Sequence, residues 1–118
     1  MSDKNIVVLG KVLDEIFMAQ SLLGSRDLDA FLEDEMVKRA VCMTVINVGE
    51  LVKNLDMEFR SEHPQVPWRD IAGFRDVAAH KYQTLRMDDV YVTVKDEFPA
   101  IEEEIASIVE VCSGNANS

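Results

Sequence analysis

Proline, glycine and aromatic residues are all scarce in this chain, with 3 Pro, 5 Gly and 7% aromatics in 118 residues. An all-β or doubly wound chain needs frequent turn punctuation and evenly spaced β-branched alternation, and neither pattern occurs. Cysteine is nearly absent. Cys42 and Cys112 have no C-x-x-C partner and fall in apolar helical patterns, where a free thiol behaves as a small hydrophobe. That usage excludes a disulfide scaffold and fits a reduced cytoplasmic protein. No apolar run approaches the roughly 18 residues of a membrane span, and Asp3 and Lys4 precede only a short apolar run without a small-residue cleavage site. Neither membrane contact nor export is expected. Positive charge is also short, 12 Lys and Arg against 22 Asp and Glu, for a net charge of −10. A protein that coats nucleic acid by displacing counterions is thereby excluded, and any such contact must be local.

With 47% apolar residues, the chain can bury one compact core. From Ile6, apolar residues recur at Leu9, Leu13, Ile16, Phe17 and Leu23, a helical pattern that Gly24-Ser25 ends. Asp27 or Asp29 can cap the next segment, where Val37, Ala40, Val41, Thr44, Val48, Leu51, Val52 and Leu55 form a stripe continuing toward Arg60. One helix from Leu28 to Phe59 would span roughly 45 Å, so a bend or break is expected near Asp34. His63-Pro64 marks its end. Pro67 suits the first turn of a third helix through Trp68, Ile71, Phe74, Val77, Ala78 and Tyr82. Asp88 or Asp89 can cap a short fourth helix. Pro99 cannot continue a helix interior, so a last helix should begin around Glu97 to Ala100 and turn Ile101, Ile105, Ile108 and Val109 inward. The expected fold is an all-α, up-and-down bundle of four to five helices in a single domain over residues 1–112, with a frayed tail at 113–118.

Charge is unevenly distributed. Residues 69 to 86 hold Arg69, Arg75, Lys81 and Arg86 against Asp70 and Asp76. This net-positive stretch makes Arg69, Lys81 and Arg86 candidate RNA-binding residues. It also contains R-x-x-x-x-H-x-Y at Arg75, His80 and Tyr82. On a helix, Phe74, Val77, Ala78, Lys81 and Leu85 share one side, while Arg75, Asp76 and His80 share the opposite arc with the small residues Ala72, Gly73 and Ala79. Asp76 lies four residues before His80, where its carboxylate can orient the imidazole or raise its proton affinity. An arginine grips phosphate by a bidentate fork, and a histidine with an ordinary pKa near ~6.5 moves protons at neutral pH. Together they suffice for RNA transesterification without metal or cofactor. The 2′-hydroxyl attacks its own phosphorus, Arg75 offsets charge on the non-bridging oxygens, and His80 transfers a proton, with Asp76 in support. One histidine cannot readily serve both sides of one phosphorus, which motivates a two-fold dimer joining two small-residue arcs.

The surrounding residues make the motif more specific. Trp68, Ile71, Gly73 and Arg75 form W-x-x-I-x-G-x-R ahead of it, and Gly49-Glu50-Leu51-Val52-Lys53-Asn54-Leu55 reads G-E-x-x-K-N-L. In both segments and in helix order, from about Asn5 to Ile105, the chain resembles the HepT-like HEPN family. The resemblance implies a metal-independent endoribonuclease toxin with its site at a dimer cleft, paired with a minimal nucleotidyltransferase antitoxin similar to MntA. It further implies that the antitoxin transfers AMP to Tyr82 and fills the RNA site with bulk and negative charge. Family members often carry Asn after the motif arginine. Asp76 departs from that pattern and adds charge near the phosphate.

Other features have plainer readings. Arg75 can pair with Glu50 or another carboxylate inside the bundle, and Trp68, Ile71 and Phe74 read as packing, with Gly73 a close-approach position. His63 reads as a solvated or capping residue, since His63 and His80 lack the spacing and companions of a zinc site. Gly24 to Asp29 is superficially similar to a nucleotidyltransferase G-S and D-x-D, but with no preceding strand it reads as a turn and cap. The Glu33-Asp34-Glu35 and Glu102-Glu103-Glu104 runs read as solvated faces. The alternative function is a non-catalytic subunit that binds nucleotide or nucleic acid for a partner nucleotidyltransferase. The two-fold arrangement is open to sedimentation velocity. A dimer at working concentration is expected, and a monomer that still cleaves RNA would remove it.

Overall fold

The computed structural model describes residues 3–73 and 85–117, and among these every regular element is helical. Helix α1 runs Asp3–Leu23. It stops at Gly24, whose φ of 58° lies in the left-handed region that a glycine enters at no steric cost. The Arg26 guanidinium donates to the Leu22 and Leu23 carbonyls at 2.9 and 3.3 Å, satisfying the end of the helix. Asp27 then caps α2 (Leu28–Glu33) by accepting from the Ala30 N–H at 2.9 Å. The chain breaks at Asp34, as its length required. That residue leaves helical conformation and caps α3 (Glu35–Lys53) through the Val37 N–H at 3.1 Å. The acidic run here is therefore partly structural, because Glu35 also pairs with Lys38 and Arg39, each at 3.0 Å.

The expectation of one helix continuing to Phe59 needs correction. α3 ends at Lys53, and a separate α4 covers Met57–Glu62. The cause lies across the bundle on α1. Asn5, 3% exposed, accepts from the Asp56 backbone N–H at 3.2 Å and donates through Nδ2 to the Asp56 carboxylate at 3.2 Å. Lys4 approaches the same carboxylate at 3.2 Å. Holding Asp56 in extended conformation satisfies a buried amide that would otherwise lose its hydrogen bonds to water. It also fixes the antiparallel register of α1 and α3, which recurs where Asn47 donates to Glu15 at 2.8 Å.

A fifth helix, α5, is described over residues 68–73. Beyond 84 the chain is helical from α6 (Met87–Val92) through a wide π turn (Thr93–Glu97) into α7 (Phe98–Asn117). The residue capping α6 is Arg86, and Asp88 and Asp89 sit within its first turn. The last helix begins at Phe98, inside the range expected from Pro99, and follows the π turn without a gap. The Phe98 N–H bonds to the Thr93 carbonyl, five residues back, and this wider turn relieves the clash of a proline ring with the carbonyl four residues before it. α7 runs on to Asn117, into the segment expected as a tail.

The core lies where these legs meet. Leu9, Val12 and Ile16 of α1, Val41, Val48 and Val52 of α3, and Val90, Val94, Phe98 and Ile105 of the last leg are at most 1% exposed. Each such side chain contributes about 1.5–3 kcal/mol by leaving water. Phe17, expected on this face, is instead 65% exposed. It stands one helical step outside the stripe formed by Leu9, Val12 and Ile16. Phe31 of α2 packs near Tyr91, with ring centroids 5.6 Å apart. The Tyr91 hydroxyl donates to the Arg26 carbonyl at 2.9 Å and accepts from the Lys95 ammonium at 3.1 Å, tying α6 to the turn after α1. Cys42 is buried, and burial pushes its thiol pKa up, so it packs as a hydrophobe. No described helix is long and apolar enough to cross a membrane.

The clamp at Asp56 is sensitive to acid. Hydrogen bonds from Lys4 and Asn5, with the Lys4 charge, hold the carboxyl below its ordinary 3.8. A depressed folded-state pKa stabilises the fold above the ordinary value, and that contribution disappears as pH falls through the folded value. Asp56→Asn is therefore expected to lower the melting temperature at neutral pH and to flatten its decline below about pH 4. Parallel melting curves for the two proteins across that range would contradict the clamp.

Candidate functional site

The lead-in to the motif is built by packing. The Trp68 side chain is 5% exposed, and its indole N–H donates to the His63 carbonyl at 2.9 Å. The same carbonyl accepts from the Val66 N–H at 3.4 Å, closing the turn between α4 and α5. His63 is the terminal cap of α4, and its ring lies 4.6 Å from that of Phe59. Its role is thus structural. The first helical bond of α5 runs from the Ile71 N–H to the Pro67 carbonyl at 3.1 Å. Ile71, 9% exposed, turns toward Val45, Val48, Phe98 and Ile101 around a cavity of about 220 Å³.

The described turn of α5 therefore has two faces. Trp68 and Ile71 point into the core, while Arg69, Asp70 and Gly73 are exposed and Ala72 is half-buried. A Cβ on Gly73 would meet nothing within 4 Å among the described residues, so no close approach among them explains this glycine. The side expected to carry the chemistry is the open one at this point. Arg75, Asp76, His80, Lys81 and Tyr82 lie outside the described residues.

Of the candidates for RNA contact, Arg69 and Arg86 are described. Arg69 is exposed beside a groove between α4 and α5. Arg86 is also exposed, but its guanidinium forks onto Asp88 at 2.8 and 3.3 Å, with Asp89 at 4.0 Å. Hydrogen bonding to Asp88 raises the Arg86 pKa and lowers that of Asp88. An exposed ion pair of this kind is worth little and can be exchanged for another anion.

The G-E-x-x-K-N-L segment covers the end of α3. Gly49 and Leu55 are buried and Asn54 is the cap, with its N–H directed to the Leu51 and Val52 carbonyls. Glu50 is at the surface, where it lines a groove of about 350 Å³ with Lys11, Asp14, Glu15, Asn47 and Leu51. The expected pairing of Arg75 with Glu50 involves a residue outside those described.

Sequence reasoning missed the polar clamp on α1. Asn5 occupies a core position of the series Asn5, Leu9, Val12 and Ile16, and a buried amide in such a series signals a specific partner. It missed Arg60 as well, whose guanidinium reaches the Lys53 and Leu55 carbonyls, both at 3.4 Å.

Comparison with known proteins places this frame. The family model described as Ribonuclease HepT-like matches residues 12–108, a span that includes both family-like segments and all of 74–84. The chain belongs to the HepT-like ribonuclease family. Among similar proteins, "Gamma-glutamylcyclotransferase and putative RNase MJ0434" of Methanocaldococcus jannaschii is 30% identical over 95% of this chain and 50% of its own length. "Putative RNase TTE0752" of Caldanaerobacter subterraneus subsp. tengcongensis is 36% identical over 68% of this chain and 71% of its own. "Probable ribonuclease HepT" of Thermococcus cleftensis is 33% identical over 61% and 66% respectively. The HepT-like chain thus spans half of the first relative and about two thirds or more of the other two. No solved structure matches it significantly.

In the HepT-like frame, Trp68 anchors the start of α5 through both apolar burial and one hydrogen bond. Trp68→Phe keeps most of the former and removes the latter, with an expected loss of about 1 kcal/mol in urea denaturation. An unchanged midpoint would show that the indole N–H does not hold this turn.

Proposed function

We propose that this chain is a metal-independent endoribonuclease, the toxin of a toxin–antitoxin pair. Membership of the HepT-like ribonuclease family carries the reading, because the matched span includes R-x-x-x-x-H-x-Y with its lead-in. Arg75 binds the scissile phosphate and offsets the charge that builds on its non-bridging oxygens. His80 moves the proton as the 2′-oxygen bonds to phosphorus and the bond to the 5′-oxygen breaks. Asp76 supports the imidazole. The residue types agree with these tasks, since a guanidinium stays charged at any working pH and an imidazole exchanges protons near neutrality. The catalytic unit is a homodimer whose cleft joins two motifs.

Control of the activity falls to Tyr82. A minimal nucleotidyltransferase antitoxin resembling MntA transfers AMP to its phenolic oxygen, placing a nucleotide beside Arg75 where RNA would enter. The added phosphate competes for the guanidinium, and the adenosine occupies the space. Arg69, Lys81 and Arg86 supply local positive charge along the RNA path in an otherwise acidic protein.

The decisive assay incubates purified protein with RNA in excess chelator. Wild type is expected to cleave, and His80→Ala to lose about 10²- to 10⁴-fold in rate. Equal cleavage by both proteins would place the activity elsewhere. Absence of cleavage under every condition would favour a non-catalytic subunit that holds nucleotide or nucleic acid for a partner enzyme. Co-expression with a neighbouring nucleotidyltransferase gene should add the mass of AMP to the intact protein, and Tyr82→Phe should abolish the addition. An unmodified protein that remains active beside that partner would contradict neutralisation by this route.

A further inference from the structure

We propose that the groove between α4 and the start of α5 is a phosphate subsite that grips the RNA backbone away from the scissile bond, using Arg60 and Arg69. The ligand class rests on the ribonuclease reading, whereas the site stands on geometry. Arg60, Ser61, Val66, Trp68, Arg69 and Asp70 are among the residues lining the groove, which has a volume of about 550 Å³. Two guanidiniums against one carboxylate give it net positive charge in a chain of net charge −10. Such local reversal of sign is what a nucleic-acid contact requires here.

Arg60 is placed for this role and incompletely satisfied. Its Nη2 makes contacts of 3.4 Å to both the Lys53 and Leu55 carbonyls, which pin the guanidinium beneath the end of α3. Its Nε is buried with no acceptor among the described residues. A guanidinium held only by long contacts gains more from an anionic acceptor than a fully bonded one does. Arg69 is exposed, lines the same groove, and precedes Arg75 by six residues in the chain. Trp68 lies between them but is 5% exposed, with its N–H committed to His63, so its ring offers no platform for a base. The groove therefore holds phosphates and reads no sequence.

The test measures binding of a fluorescein-labelled, single-stranded 12-nucleotide RNA by anisotropy in chelator, with His80→Ala as the background to prevent cleavage. Arg60→Gln and Arg69→Gln are each expected to weaken binding by roughly 3- to 10-fold, equally for two unrelated sequences. Each should also reduce the slope of log affinity against log salt by about 0.7. Lys11→Gln, which removes the same charge from α1, should change affinity less than about twofold. Unchanged salt slopes, or an equal effect of Lys11→Gln, would overturn the subsite. Because Arg60 also supports α3, melting curves accompany each variant. Arg60→Lys, which keeps the charge but loses the fork, is expected to bind with intermediate affinity. If Arg60→Gln does not fold, Arg69→Gln and Arg60→Lys decide the matter. Arginine-dependent binding without cleavage by wild type would sink the ribonuclease reading and leave the subsite. Cleavage with arginine-independent binding would do the reverse.

Discussion

The reciprocal bonding of Asn5 with Asp56 is the constraint from which the rest of the architecture follows. It joins the first turn of α1 to the point where α3 has just ended, and so sets the register of the two antiparallel helices that form most of the core. Because Asp56 is held extended, the chain must restart as α4 at an angle rather than run on. The turn of α4 then carries Phe59 inward and leaves the His63 carbonyl available to Trp68. A buried amide on one helix thus determines where a later helix begins, two connections away.

That later helix leads, in sequence, into the motif. Its first turn is fixed by the burial of Trp68 and Ile71, and the opposite side is left open at Arg69, Asp70 and Gly73. The division suits a ribonuclease of the HepT-like family. Rigid packing of one face allows the other to present ionisable groups without a deep pocket. The acidity of the chain as a whole then favours RNA contact through a few positioned arginines over broad electrostatic attraction. Arg86 and Arg69 differ in this respect, the former already forked onto Asp88 and the latter standing beside a groove with Arg60.

The parts of the fold that depend on local chemistry could be read in the sequence. Gly24 as a helix stop, Asp27 as a cap, and the break near Asp34 demanded by an overlong second leg all follow from backbone sterics and capping. The break before Met57 could not be read in the same way. Leu51, Val52, Leu55 and Phe59 keep helical spacing across it, and its cause is a side chain more than fifty residues away. Pro99 did mark the start of the last helix, which begins at Phe98, but not the π turn that leads into it without a gap. The rule against proline in a helix assumes a regular ladder, and the wider π turn before Pro99 relieves the clash with the carbonyl four residues back. For the site, residue types and spacing at Arg75, His80 and Tyr82 are what the sequence alone offers, since these residues lie outside those described. The support that Trp68 draws from a backbone carbonyl could not be read there, since any buried indole needs an acceptor and the sequence does not say which.

The central claim is that an arginine and a histidine, unaided by metal, drive attack by a neighbouring 2′-hydroxyl. The chemistry of the new RNA ends reports on this most directly. Mass spectrometry of fragments produced in chelator should find 2′,3′-cyclic phosphate, or its hydrolysed phosphate, on the upstream fragment and a 5′-hydroxyl on the downstream one. Fragments bearing a 3′-hydroxyl and a 5′-phosphate would mean that water, not the 2′-oxygen, attacked phosphorus, and would contradict the account.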